Sequence, residues 1–164
     1  MRRSLIATAL AALVLAAPVA AGVPRRGVLD PGRSLGGIRL GEAPRAVRAT
    51  LGSFYGLCRG CASRTWYFTV RPFDEHGIAV EFVRGRVSAV YTLWQPAGWH
   101  DTRGLTLGAP AEEVEARKLP LLTVTCTGYT ALVADAPHAR TAYFLFDDRL
   151  WGFGLFLPGT VPCR

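Results

Sequence analysis

The sequence has 164 residues, half of them apolar, and a formal net charge of +7. This length suits one ordinary domain or two very small ones, with enough apolar side chains for a buried core. The basic residues are 18 Arg and one Lys, in no run longer than two. This scattered distribution argues against binding to nucleic acid, which favours clustered positive charge.

The first residues have the pattern of a secretory signal peptide. Arg2 and Arg3 form a positive start, and an apolar run over 5–17 leads to an A-x-A-like site. The run is too short to span a bilayer, which takes about 20 residues. We expect cleavage after Ala21, or alternatively Ala20, which leaves a soluble protein with a net charge of +5 and no membrane insertion. The expected location is extracellular or a periplasm-like compartment.

The segment 22–34, rich in Gly, Pro and Arg, predicts a flexible N-terminal arm. Two similar openings follow, GIRLG at 37–41 and GLTLG at 104–108. Each precedes a short helix-like stretch, 42–52 in the first case and 109–119 in the second. The pattern predicts that the chain contains an internal repeat.

Three strand-like segments follow each predicted helix. They span 65–70, 77–82 and 86–94 in the first copy, and 128–133, 140–146 and 149–156 in the second. The two-residue spacers Arg84–Gly85 and Asp147–Asp148 predict hairpin turns. We therefore predict an α+β fold of two tandem helix-plus-three-strand repeats, 35–97 and 98–164, with antiparallel strands and the helices on one face. One continuous sheet and two separate lobes both fit this pattern.

Four cysteines lie beyond the predicted signal peptide, and export favours disulfides between them. The pair Cys58 and Cys61 has three interpretations: a redox pair, half of a zinc site, or a structural disulfide. A redox pair normally precedes a helix, and a zinc site needs further ligands at a suitable spacing. We favour structural bonds, Cys58 with Cys61 and Cys126 with Cys163, among the three connectivities that four cysteines allow.

A resemblance accompanies the repeat. The residues that carry it are Ile38, Leu40, Gly41, Val47, Leu51, Gly52, Gly77, Ile78, Val80, Phe82, Gly85, Arg86 and Val87. This pattern resembles the secreted β-lactamase-inhibitor proteins and the small lipoproteins of outer-membrane assembly. The first resemblance implies tandem repeats, a concave sheet and protein binding. The second implies a lipid-modified Cys, and no Cys lies at the predicted cleavage point.

No catalytic or metal-binding motif stands out. His76, His100 and His138 lie in separate loop-like stretches, and the nearby Asp74 and Glu75 are typical of a solvated hairpin connection. Patterns such as H-E-x-x-H, G-x-S-x-G and the phosphate-binding loop do not occur. We therefore expect no catalytic residues, no cofactor and no metal.

The last two predicted strands carry apolar residues on both faces, whereas antiparallel sheets usually have one polar face. Strict alternation would place Trp151, Phe153 and Leu155 on one side, opposite Gly152 and Gly154. A helix could cover the glycine side. The other three residues then either pack internally, against the other repeat or the N-terminal arm, or form a candidate face for an extracellular or envelope protein. The leading hypothesis is thus a secreted, non-enzymatic binding module. The alternatives are a secreted hydrolase with a hidden site and a structural cell-envelope protein.

Overall fold

The computed structural model describes residue 23 and residues 26–71, 74–117 and 119–164, so the predicted signal peptide lies outside the described residues. Strands make up 46% of the structure and helices 9%. The prediction of an α+β fold built from helix-plus-three-strand repeats is therefore wrong, because the protein is mostly β. Among the described residues, no helix is both long enough and apolar enough to cross a membrane.

Two helices and eleven strands follow one another along the described part of the chain. In order they are β1 Val28–Asp30, β2 Ser34–Leu35, α1 Pro44–Leu51, β3 Gly56–Leu57, β4 Arg64–Thr69, β5 Gly77–Val83, β6 Arg86–Leu93, β7 His100–Asp101, α2 Ala111–Glu115, β8 Leu121–Cys126, β9 Tyr129–Ala136, β10 Ala139–Phe146 and β11 Arg149–Phe156.

Eight strands form one antiparallel sheet in the order β3-β4-β5-β6-β11-β10-β9-β8. The pairing of β6 with β11, in which Val90 faces Leu155, joins the earlier and later strands. One continuous sheet is thus the alternative that the structure adopts. The strands β2, β1 and β7 form a small separate sheet, in which β1 and β7 run parallel.

The helices are too small to form a layer of their own. The eight residues of α1 bury Val47 and Leu51, and the five residues of α2 bury only Val114. The second helix ends well before the end of its predicted range, and the chain then enters β8, whose sequence LLTVTC is rich in residues that favour strands. This segment was predicted to be the connection between a helix and a strand, whereas it forms an edge strand. This is one reason why the α+β prediction fails.

The hairpin turns, by contrast, are confirmed. The two-residue connections Arg84–Gly85 and Asp147–Asp148 join β5 to β6 and β10 to β11. All four residues have positive φ, from 49° at Asp147 to 74° at Gly85, as the favoured two-residue hairpin turns require.

One face of the large sheet carries the main core. The buried helix residues, the small sheet and Trp99 all pack on it. Leu29 and Leu35, from β1 and β2, are fully buried there. Residues 28–30 and 34 had been expected to belong to a flexible arm, but they are strand residues in the small sheet, fixed by this apolar contact.

Candidate functional site

The opposite face of the large sheet carries a second cluster of buried residues. Its members are Ala79, Ala89, Tyr91, Cys126, Ala131, Val133, Ala142, Phe144 and Phe156. We call this the open face, and the helix-bearing side the covered face. Above the small side chains of the open face lies a cleft of ≈ 540 Å³, which we call the aromatic cleft. Its lining comprises Tyr67, Tyr91, Thr92, Leu93, Trp94, Thr127, Gly128, Tyr129, Phe144, Phe146, Trp151 and Arg164.

A β-bulge brings Trp151 into this cleft. Phe144 pairs with Gly152, whereas the next residue, Leu145, pairs with Leu150, so Trp151 is an extra residue in β11. A bulge of this kind interrupts the alternation of side chains and re-aims the residue beside it. As a result, Trp151 lines the cleft on the open face, whereas its neighbour Leu150 is buried on the covered face.

The bulge corrects the predicted binding face. Phe153 and Leu155 are fully buried on the covered face, whereas Trp151 packs on the open face. The three residues proposed as one surface therefore do not share a side of the sheet. Only Trp151 belongs to the cleft, because strict alternation holds for the other two but ends at the bulge.

The two glycines of β11 lie on the open face, where the nearest described side chains belong to the sheet itself rather than to a helix. A Cβ on Gly152 would come within 2.5 Å of the Thr92 hydroxyl oxygen, and one on Gly154 would collide with the rings of Phe144 and Phe156. The glycines are needed because aromatic rings of the same sheet pack directly onto the β11 backbone. This explains the two-sided apolar character of the last strands.

Trp151 is the centre of the aromatic packing in the cleft. Its ring centroid lies 6.2 Å from that of Trp94, 6.1 Å from Tyr129 and 6.4 Å from Phe146. Tyr129 in turn meets Phe144 edge-on at 5.6 Å. These separations are typical of favourable aromatic contacts, so the rings hold one another in a fixed arrangement.

The rim of the cleft exposes large aromatic side chains. Trp94 is 53% exposed and Phe146 is 56% exposed. Trp94 also has a φ of 53°, in the left-handed region where glycine is the favoured residue. A bulky residue in this conformation costs on the order of 1–3 kcal/mol, and such costs concentrate at functional sites.

A segment that we call the tail, residues 157–164, crosses the open face and closes one end of the cleft. Its Leu157 N–H donates to the carbonyl oxygen of Ser88 at 3.0 Å. The Arg140 guanidinium donates to the Thr160 carbonyl oxygen, also at 3.0 Å. Further along, a disulfide joins Cys163 to Cys126 of β8. The tail is thus attached to strands on both sides of the β10–β11 hairpin.

Arg164 places its guanidinium at the closed end of the cleft. It donates to both carboxylate oxygens of Glu81, at 2.6 and 3.1 Å, and lies over the rings of Phe156 and Tyr91 at 4.9 and 5.7 Å. Glu81 is only 8% exposed, and a buried carboxylate is tolerated when it is paired. Burial, followed by the negative charge of Glu81, raises the pKa of Tyr91 above its ordinary value, so its hydroxyl is neutral at physiological pH.

Both disulfides have the pairing that the sequence favoured, Cys58 with Cys61 and Cys126 with Cys163. The first closes a loop between β3 and β4, with Cys61 Sγ 3.5 Å from the Tyr67 hydroxyl oxygen. This bond precedes a strand rather than a helix. Two disulfides are typical of proteins in oxidising compartments and are consistent with secretion.

The histidines do not converge on one site. His76 contacts Asp74 in the loop before β5, with 2.7 Å between Nδ1 and Oδ1. His100 lies in β7, and His138 lies in the turn between β9 and β10. The backbone N–H of His76, and then its side chain, lower the pKa of the Asp74 carboxyl. Within the described ranges, no group of three or more His, Cys, Asp or Glu residues could hold a metal ion.

Comparison with known proteins places the chain in no family, since no family model and no curated protein matches it. The expected resemblance to inhibitor proteins and assembly lipoproteins thus gains no support. Among solved structures, the chain is similar to an extracellular protein containing an SCP domain from Bacillus anthracis str. Ames, with a TM-score of 0.49 and 10% identity. The match covers 73% of this chain and 44% of that protein, less than half its length, and it carries no functional argument.

Proposed function

We propose that this chain is a secreted, non-enzymatic binding protein that holds an extracellular or envelope protein through its aromatic cleft. The observation that carries the proposal is the composition of the cleft, in which seven of the twelve lining residues are aromatic. Large aromatic residues are enriched at protein interfaces, where a few of them supply most of the binding energy. The exposed rim residues Trp94 and Phe146 are suited to be such anchors.

The chemistry of the lining favours binding over catalysis. Its neutral polar side-chain groups are hydroxyls and indole N–H groups. Among the described lining residues, the one with a charged side chain is Arg164, which already pairs with Glu81. The Thr92 hydroxyl is occupied, since it accepts a hydrogen bond from the Phe153 N–H at 3.0 Å. A hydrolase would need a base beside its nucleophile, and the described lining residues include no histidine, aspartate or glutamate side chain.

Affinity capture with matched variants tests this proposal. The immobilised protein is exposed to the secreted and envelope fractions of the producing organism, alongside the Phe146→Ala, Trp94→Ala and Phe54→Ala variants. Phe54 is the control, because it is 77% exposed and lies outside the cleft. We expect one protein to be retained by the wild type and Phe54→Ala but lost by both cleft variants.

The captured protein then allows a direct affinity measurement. Calorimetric titration should show a loss of about 2 kcal/mol in binding free energy for Phe146→Ala, or roughly a 30-fold weaker affinity. The proposal fails if the same proteins are retained equally by the cleft variants and the control.

A further inference from the structure

The large sheet ends in two very different edges. At one edge, β3 is two residues long and leads directly into the loop closed by the Cys58–Cys61 disulfide. At the other edge, β8 has six residues, and none of them is charged, Pro or Gly. Proteins usually protect exposed edge strands with such residues or by keeping them short. The first edge is protected in this way, and the second is not.

The hairpin geometry determines which backbone groups of β8 are free to pair. Cys126 and Tyr129 flank the two-residue turn between β8 and β9, so they form a hydrogen-bonded pair. Because bonded and non-bonded pairs alternate along an antiparallel ladder, Cys126 and every second residue before it point their backbone groups toward β9. The outward N–H and C=O groups therefore belong to Leu121, Thr123 and Thr125. The disulfide-bonded sulfur of Cys163 lies 3.9 Å from the Thr125 carbonyl oxygen, at the end of this row of groups.

The side chains of β8 are also suited to association. Leu122 is 56% exposed. It pairs with Val133 of the open face, and two residues later Val124 packs partly against the same cluster. An exposed leucine on an uncharged edge strand is a predicted site of strand pairing. This free edge lies between Pro120 at one end and the Cys126–Cys163 disulfide at the other.

We propose that β8 pairs antiparallel with β8 of a second copy of this chain. A two-fold axis at Thr123 places Thr123 opposite its counterpart, Leu122 opposite Val124, and Leu121 opposite Thr125. In this register the outward backbone groups of both strands face one another and form about six hydrogen bonds. Because β8 carries no charged side chain, no like charges of the two strands face one another, which matters for a protein whose expected mature chain has a net charge of +5.

A self-complementary register is what an isologous dimer requires, since the same residues must serve both copies. Opposed threonines and opposed apolar residues are favourable cross-strand pairs. The register that is centred on Thr123 also uses the whole span 121–125, whereas shifts toward either end use fewer residues. The surface lies outside the aromatic cleft, so this inference stands apart from the proposed binding function.

Sedimentation equilibrium over a broad concentration series tests the dimer, with the wild type and three variants. Thr123→Pro removes the central outward N–H, which a monomer does not use, so the monomer fold should tolerate it. Leu122→Lys adds a like charge on each strand. Leu57→Lys is the matched control, because Leu57 is 61% exposed on the protected edge.

We expect the wild type and Leu57→Lys to reach twice the monomer mass, and both β8 variants to raise the dissociation constant about tenfold or more. If Thr123→Pro fails to fold by near-ultraviolet circular dichroism, Leu122→Lys decides. A wild type that stays monomeric, including one that instead binds an extended segment of another protein, overturns the proposal. A dimer that neither β8 variant weakens overturns it as well.

Discussion

The covered and open faces of the large sheet both pack apolar side chains against the strands, but they do so with residues of different size. On the covered face, large side chains such as Phe153, Leu155 and Trp66 are fully buried beneath the helices and the small sheet. On the open face, alanines and glycines form the floor, and aromatic rings stand around it.

The difference lies in the size of the residues next to the backbone. Large residues on the covered face fill the space between the sheet and the elements that pack on it. Small residues on the open face leave room above the strands, so the rings enclose a cleft rather than a core. An apolar surface can therefore serve stability on one side of a strand and recognition on the other.

The largest effect expected from this comparison is on stability. Phe153→Ala removes a fully buried ring on the covered face and should lower the free energy of unfolding by about 3 to 5 kcal/mol. Phe146→Ala makes the same change at a 56% exposed position of the open face and should cost about 1 kcal/mol or less. Urea unfolding of both variants measures the difference, and equal losses would contradict the assignment of the two faces.

A smaller effect is expected from the disulfides. The Cys126–Cys163 bond closes a separation of 37 residues and attaches the tail to the open face, whereas Cys58–Cys61 closes only three. The chain-entropy estimate is about 4 kcal/mol for the first bond and about 1.5 kcal/mol for the second. Replacing each pair by serine and measuring unfolding in urea tests this order. A larger loss from the Cys58–Cys61 pair would show that the tail contributes little to the open face.

The smallest effect concerns pH. Arg140, which also holds the tail, donates to both carboxylate oxygens of Asp135 at 2.6 and 3.0 Å and thereby lowers the pKa of that carboxyl. A lowered pKa in the folded state means stabilisation that is present at neutral pH and is lost as the pH falls below about 4. The urea midpoints of the wild type and Asp135→Asn should therefore differ at neutral pH and converge in acid. A difference that persists unchanged in acid would argue against this ion pair.

The sequence predicted the longer strands well because their apolar and β-branched residues are continuous and bounded by turn residues. Six segments and the Arg84–Gly85 and Asp147–Asp148 turns were found in this way. The six-residue strand β8 was missed, because its sequence directly follows the predicted second helix and was predicted to be a connection. The strands β1, β2, β3 and β7 are two or three residues long, too short to show any periodicity. Their positions depend on contacts with distant residues, such as that of Trp99 with Gly27.

The candidate site was predicted only in part, for a similar reason. The aromatic residues of the last two strands and the presence of Trp151 on an available face were visible in the sequence. The sequence did not reveal on which side of the sheet Trp151 lies, because the bulge depends on how β10 pairs with β11. Gly152 was a usable signal, since an isolated glycine inside a strand often marks a bulge. Trp94 and Arg164 could not be found, because only the folded chain brings them to the cleft.

The pairing of β6 with β11 also has a consequence for how the protein is made. Synthesis delivers β4, β5 and β6 early, and these can form local hairpins at once, whereas β11 follows β6 by more than 50 residues. Until β11 is made, β6 is an unprotected edge whose residues 87–92 are buried in the finished protein. The newly made first half is therefore prone to aggregate through this edge. When β11 pairs with β6, it completes the sheet and protects that edge.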